Sequence, residues 1–321
     1  MRVRALTPAD LAAAQRLREQ AGWNQSDHDW HRLLAWTPEG CWAAERDGQV
    51  VGTTTVTTYG RRIAWIGMVL VDEDHRRQGI GRALLTHAIA YLDRLGVQTI
   101  ALDSTPEGRP LYASLGFADA FELARWRGPI LHAPQAATER ATPDAPPAGS
   151  AAVPAAPGLA AGRGQGNDPP GSDSQIRPLR PADLPAVAAY DARLFGADRA
   201  HILAAQHAGH PRRCFLAERG GQVTGYVLSR PGARARHLGP LAADDPSAAD
   251  ALARRALLPD PSATPPADLL MDVVMPNADA VALATSLGLA AVRRFIRMTR
   301  GAPSPAVDLG RLYTSAGPEL G

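Results

Sequence analysis

The feature that most constrains this chain is an internal repeat. Arg4, Leu6, Pro8, Ala9, Asp10 and Leu11 return as Arg177, Leu179, Pro181, Ala182, Asp183 and Leu184, each 173 positions later. At the same spacing Cys41, Ala44, Glu45, Arg46, Gly48, Gln49, Val50 and Gly52 return as Cys214, Ala217, Glu218, Arg219, Gly221, Gln222, Val223 and Gly225. The spacing then becomes 172, with Gly67 and Asp72 matching Gly239 and Asp244, and Ser114, Leu115 and Gly116 matching Ser286, Leu287 and Gly288. Matched blocks that keep one order across long gaps mean a fold used twice.

Residues 131–174 separate the copies. They are dominated by Ala, Pro and Gly and have no hydrophobic period, the composition of a disordered linker. The expected domains are therefore 1–130 and 175–301, with 302–321 as a loose tail. A chain of 321 residues has room for two domains, each with its own core.

Composition removes several classes of function. The net charge is only +2 and no basic block occurs, so neither nucleic acid nor an anionic membrane is an expected partner. All 34 basic residues are Arg, which excludes a lysine nucleophile and leaves Arg as the permanent cation for phosphate groups. The first residues have no apolar leader and no stretch of 18 apolar residues occurs, so the expected location is cytoplasmic. Cys41 and Cys214 each open an apolar, strand-like run and read as buried thiols. The series His201, His207, His210 and Cys214 matches no standard zinc spacing, and no metal is expected.

In the first copy the pattern predicts a strand at 3–6 and a helix to about 21, started by Thr7 and Asp10 as a capping box. Ser26 caps a second helix. Strands at 41–45 and 49–58 join at Asp47-Gly48, a hairpin pair, and 63–71 is a fully apolar strand. A helix at 79–95, a strand at 98–103, a short helix at 107–115 and a strand at 117–126 follow. The fold class is α/β, a mixed central sheet flanked by helices, present twice in tandem.

The most specific segment is Arg76-Arg77-Gln78-Gly79-Ile80-Gly81-Arg82, set between the apolar strand and a helix. A glycine-rich turn there presents backbone N–H groups at the positive end of the helix, an anion site that the arginines reinforce.

Met68-Val69-Leu70-Val71 followed by Arg76-x-x-Gly79-x-Gly81 resembles the coenzyme A pyrophosphate motif of the GNAT N-acetyltransferase superfamily. Leu111-Tyr112-Ala113-Ser114-Leu115-Gly116-Phe117 resembles its second hallmark. The resemblance covers the first copy in order. It implies acetyl-CoA as co-substrate, with Met68, Val69, Leu70 and Val71 lending backbone groups to pantetheine and thioester, and Arg76, Arg77, Gln78, Gly79, Ile80, Gly81 and Arg82 cradling the pyrophosphate. A backbone donor on the thioester oxygen is worth roughly 3 kcal/mol. Tyr112 is similar to the tyrosine that protonates the leaving thiolate in many members, a general-acid gain of about 10²-fold. Thr105 stands where the family often has Asn. A general base is not fixed by the motif: Asp103 is one candidate, and Asp27, His28, Asp29 and His31 are others.

The second copy lacks this equipment. At a spacing of 172, Ala251 and Ala253 stand for Gly79 and Gly81, Ala284 stands for Tyr112, and Asp244 and Asp245 lie in the loop, although Asn277 holds the family's Asn position. The resulting expectation is a tandem acyltransferase whose first domain moves an acetyl group to a primary amine of a small molecule or peptide, with the second domain in intramolecular contact. The tandem layout also resembles mycothiol synthase. A non-catalytic acyl-CoA sensor is the reading from another class.

Overall fold

The computed structural model describes residues 1–130, 174–258, 268–302 and 308–321. The segment expected as a linker lies outside them except for Ser174. The first copy runs β1 (Arg2–Ala5), α1 (Leu11–Gln20), α2 (Asp27–Trp36), β2 (Cys41–Arg46), β3 (Gln49–Tyr59), β4 (Ile63–Val71), α3 (Ile80–Arg94), β5 (Thr99–Ser104), α4 (Arg109–Ser114) and β6 (Ala118–Pro129). The second runs β7 (Gln175–Pro178), α5 (Leu184–Phe195), α6 (Ala200–Gly209), β8 (Phe215–Arg219), β9 (Gln222–Arg230), β10 (Arg236–Ala243), α7 (Pro246–Leu257), β11 (Asp268–Val274), α8 (Ala278–Ser286) and β12 (Ala290–Gly301). A last strand, β13 (Leu312–Thr314), follows. None of the described helices is long and apolar enough to cross a membrane.

The repeat is visible in individual contacts. Arg4 forks onto Asp10 at 2.8 Å and reaches Glu45, and Arg177 does the same with Asp183 and Glu218. The backbone N–H of Thr7 donates to Asp10, and that of Arg180 donates to Asp183, so the carboxylate that meets the arginine also closes the 3₁₀ turn ahead of α1 or α5. These bonds hold Asp10 and Asp183 down to about 2. The hairpin turns use left-handed backbone at Asp47 and Gly48 in one copy and at Gly220 and Gly221 in the other. Burial pushes both Cys41 and Cys214 up to about 12, in keeping with inert thiols.

Two features depart from the sequence expectation. The copies do not close separate sheets. Among the described residues the strands form one 13-stranded sheet in the order β1-β2-β3-β4-β5-β12-β6-β11-β13-β10-β9-β8-β7. The final strand of each copy has crossed to the other, so β12 lies against β5 and β6 lies against β11. Each exchanged strand carries an arginine directly opposite an aspartate of its host. Arg297 sits across from Asp103 and Arg125 across from Asp272, each fork making two bonds of 2.8–3.0 Å. Unpaired, any of these buried charges is costly, so the reciprocal pairs favour this register over others.

The second departure is the C-terminal segment. Read as a loose tail, it is structured from Asp308 onward, and Leu312, Tyr313, Thr314, Ala316, Glu319 and Leu320 are buried. Backbone-to-side-chain bonds account for this: Trp65 Nε1 donates to the Pro318 oxygen at 2.8 Å, the Tyr59 hydroxyl to Leu320 at 2.6 Å, and Arg199 to Gly321 at 2.8 Å. The anchoring side chains come from both copies, and a pattern reading within one copy does not register them.

Helices cover both faces of the sheet. On one face of the first half, Ile80, Leu84, Leu85 and Leu92 of α3 pack over Ile66, Ile100 and Met298. On the other, Leu17, Trp30 and Leu33 of α1 and α2 pack with Trp65, and Phe195 and Ile202 of the second half join them.

Candidate active site

Strands β4 and β5 start as parallel neighbours and then separate. Ile63, Ala64 and Trp65 pair with Thr99, Ile100 and Ala101, and no pairing continues beyond Trp65. A bulge helps to turn β4 away: Thr53 faces Leu70 while Thr55 faces Gly67, so β4 carries one extra residue, and Met68 takes a left-handed φ of 50°. Thr53 Oγ1 donates to the Met68 carbonyl at 2.9 Å and holds the bulge. The gap opens a cleft of about 760 Å³.

Most of the residues expected from sequence line it. Met68, Val69, Leu70, Val71, Arg76, Gly81, Asp103, Thr105 and Tyr112 are on its wall. Arg77, Gln78, Gly79, Ile80 and Arg82 are not. Ile80 is buried in the core, Gln78 accepts from Arg46, and Arg82 donates to Ser114. Arg77 and Gly79 shape the turn through left-handed φ of 60° and 83°. Gly81 differs from Gly79, because its φ is ordinary and a Cβ there would meet only side-chain atoms at 3.7 Å. The fold accommodates a Cβ at 81, so backbone geometry and the space for a Cβ do not account for the glycine there.

At the start of α3 the cap residue is Gly79, which has no side chain to satisfy the first amides of a 15-residue helix. The turn therefore presents unfilled donors toward an anion. Tyr112 projects from α4, its ring against Phe117 at 6.1 Å between centroids. Burial pushes its hydroxyl up to about 12, so it stays protonated at neutral pH.

Of the candidate bases, Asp103 lies on the wall but both carboxylate oxygens accept from Arg297 at 2.9 and 3.0 Å. Burial pushes Asp103 upward against the pull of Arg297. The equivalent Asp272 has His237 as an additional donor and is held well below the carboxylate range. Asp27, His28 and His31 are exposed on α2. Asp29 is buried between Arg230 and Arg32, which hold it at about 2 in spite of its burial.

The groups on the cleft wall that were not anticipated include Trp23 and Gln25, between α1 and α2, Glu107 ahead of α4, Arg125 of β6, and Glu319 from the C-terminal segment. Glu319 lies against Gly67, where a Cβ would come within 2.9 Å of the Glu319 Cα. No motif marks an acid near the end of a Pro/Gly-rich segment, and only the docking of that segment brings it to β4.

The second half shows the same gap filled. β10 and β11 begin with the pairs Arg236–Leu269 and His237–Leu270 and then part. β13 enters between them, pairing Leu241 and Ala242 on one side and Val273 on the other. Asn277, at the position the resemblance gives to a coenzyme contact, donates instead to Gly310 and Leu312 at 3.0 Å. The phosphate turn is deleted rather than substituted. Residues 72–79 connect β4 to α3, whereas only Asp244 and Asp245 connect β10 to α7. Ala251 and Ala253, aligned with Gly79 and Gly81 by spacing, lie within α7. The helix start has its own anion, since the Asp245 carboxylate accepts from Ala248 N–H at 2.8 Å. His207 and Cys214 are engaged with the Leu179 and His210 carbonyls.

The model of the acetyltransferase (GNAT) family matches residues 11–117, and that of an acetyltransferase (GNAT) domain matches residues 187–314. The chain belongs to the GNAT acetyltransferase family, with two such domains in tandem. An uncharacterized N-acetyltransferase of Bacillus subtilis is 26% identical over 215 residues, 67% of this chain and 63% of that protein. A ribosomal-protein bS18-alanine N-acetyltransferase of Escherichia coli is 47% identical over 55 residues, 16% of this chain and 37% of that one. A mycothiol acetyltransferase of Thermomonospora curvata is 31% identical over 103 residues, 31% of this chain and 35% of that one. The chain thus matches less than two thirds of the length of each of these relatives. Among solved structures, a Pyrococcus horikoshii protein assigned as an acetyltransferase superposes with a TM-score of 0.71 at 20% identity, over 100% of this chain and 95% of its own. A GCN5-related N-acetyltransferase of Sphaerobacter thermophilus superposes with a TM-score of 0.62 at 16% identity, over 97% of this chain and 98% of its own. The fold is shared along the full tandem.

Proposed function

We propose that this protein is an N-acetyltransferase that moves an acetyl group from acetyl-CoA to a primary amine, and that it does so in the N-terminal cleft alone. The observation that carries the reading is the difference between two equivalent gaps: one is open and ends at an uncapped helix start, the other is filled by β13 and capped by Asp245.

The residues on the wall suit the co-substrate. Backbone of the β4 segment 68–71 lies along the gap for the pantetheine amides, and the turn with Arg76 and Gly81 offers N–H donors and charge for the pyrophosphate. Backbone donors near the bulge would stabilise the developing oxyanion. Tyr112, protonated at neutral pH, can give its proton to the departing thiolate.

Thiol release from acetyl-CoA, measured with a panel of small primary amines and an alanine-terminated peptide, tests the reading. Turnover with any of them excludes a pure sensor; no turnover across the panel counts against catalysis. Tyr112→Phe should lower kcat about 100-fold while coenzyme affinity and melting temperature hold. Wild-type kcat in that variant would make Tyr112 a packing residue.

A further inference from the structure

We propose that Glu319 and Gln25 form the subsite for the acceptor amine, and that the Glu319 carboxylate takes the proton whose removal frees the nitrogen lone pair. The proposal rests on the acyl-transfer reading above and adds to it the charge state of the acceptor, a protonated primary amine.

Both groups are nearly inaccessible, at 2% and 3% exposure, yet both are on the cleft wall. Glu319 Oε1 accepts from Arg230 at 2.7 Å and Oε2 accepts from Gln25 Nε2 at 2.6 Å. That bond directs the other atom of the Gln25 amide, Oε1, which is buried without a donor. A buried acceptor left bare is costly, and a protonated amine carries three donors to satisfy it and the free lone pairs of Glu319. Arg230 does not belong to Glu319 alone. It also donates to Asp29 at 3.2 and 3.3 Å, so its charge is divided between two carboxylates.

Position supports the same assignment. Glu319 lies against Gly67 at the middle of β4, the strand whose far end leads to Arg76 and Gly81. Four residues of strand separate Gly67 from Val71, about 13 Å at ~3.3 Å per residue. No acid occurs on β4 itself. Of the other acids on the wall, Glu107 is exposed and Asp103 is forked on both oxygens by the Arg297 guanidinium, whereas Glu319 meets one arginine shared with Asp29 and, on its other oxygen, the neutral Gln25 amide. The main chain around Glu319 has anchors of its own in Tyr59, Trp65 and Arg199.

The step balances as follows. The acceptor enters as an alkylammonium and Glu319 accepts one proton. The freed pair on nitrogen forms the C–N bond to the thioester carbonyl carbon, and the C–S bond breaks with its electrons on sulfur. Tyr112 gives its proton to the sulfur and is reprotonated from solvent, to which the second nitrogen proton is lost. The products are the N-acetylamine and the coenzyme A thiol, and Glu319 returns its proton to solvent.

The test compares two nucleophiles on the full-length chain: benzylamine, which is protonated near neutral pH, and hydroxylamine, which is not. Glu319→Gln keeps the shape and removes the charge. Its kcat/KM for benzylamine should fall about 100-fold, whereas that for hydroxylamine should change by less than about threefold. Calorimetric affinity for coenzyme A should be unchanged. Equal losses with both nucleophiles, or a loss with neither, overturn the proposal. Should that variant not fold, Gln25→Met decides. It should raise KM for benzylamine about tenfold and spare hydroxylamine, and an unchanged KM overturns the subsite. Wild-type protein that acetylates neither nucleophile defeats the acyl-transfer reading itself, a result seen before any variant is made.

Discussion

The gap between β4 and β5 and the gap between β10 and β11 begin alike and end differently. In both, a short parallel pairing gives way to divergence. In the first, the strands stay apart and the following helix starts at a bare glycine; in the second, β13 supplies strand partners and Asp245 supplies the anion. On the proposed reading, the second half has its own backbone in the place proposed for a pantetheine arm and its own carboxylate in the place proposed for a phosphate. An empty parallel gap exposes strand edges that want partners. One copy leaves that opening unfilled, and the other satisfies it internally.

The comparison can be broken most severely by separating its terms. Because β5 takes β12 as neighbour and β11 takes β6, residues 1–130 and 174–321 made alone should each be unfolded, and together they should assemble. Circular dichroism and co-purification would show it. A cooperative melt from residues 1–130 alone would mean that the exchange is dispensable.

Asp103→Asn and Asp272→Asn strike equivalent positions in the two halves. Each leaves a buried arginine without its counter-charge and should cost about 3–5 kcal/mol in denaturant unfolding. If instead Asp103→Asn keeps its stability and loses turnover, Asp103 is the base and the two positions are not equivalent.

Calorimetry should give one coenzyme A per chain. Gly81→Leu should weaken that binding about 100-fold, or ~2.7 kcal/mol, with little change in melting temperature because the fold leaves room at 81. A stoichiometry near two would show that β13 gives way to ligand and that the second gap is not closed.

The smallest effect is expected at the filled helix start. Asp245→Ala removes the cap of α7 and should cost about 1 kcal/mol, leaving coenzyme binding in the first half unchanged. Loss of coenzyme affinity in that variant would couple the two helix starts.

Much of this molecule was legible in the sequence because its causes are local. The capping box of Thr7 with Asp10 and the hairpin at Asp47-Gly48, which the repeat shows twice, and the turn before α3, which it does not, all depend on residues a few positions apart. Met68 to Val71, Gly81 and Tyr112, which the family resemblance of two short segments singled out, line the cleft. Spacing was a poorer guide where the copies differ in length: counting back from Ser286 aligned Ala251 and Ala253 with the glycines, although six residues of turn are missing before α7.

The exchange of β6 and β12, the filling of the second gap and the delivery of Glu319 to Gly67 were decided only by the tertiary structure. Each depends on partners far apart in the chain, such as Asp103 with Arg297 and Trp65 with Pro318. An amphipathic strand is equally satisfied beside its own copy or the other; the sequence by itself determined that the strands exist and which faces are apolar. The buried Arg–Asp pairs fix the register of each exchanged strand, but equivalent residues stand in both copies, so the choice of neighbour rests on long-range packing that no local pattern records.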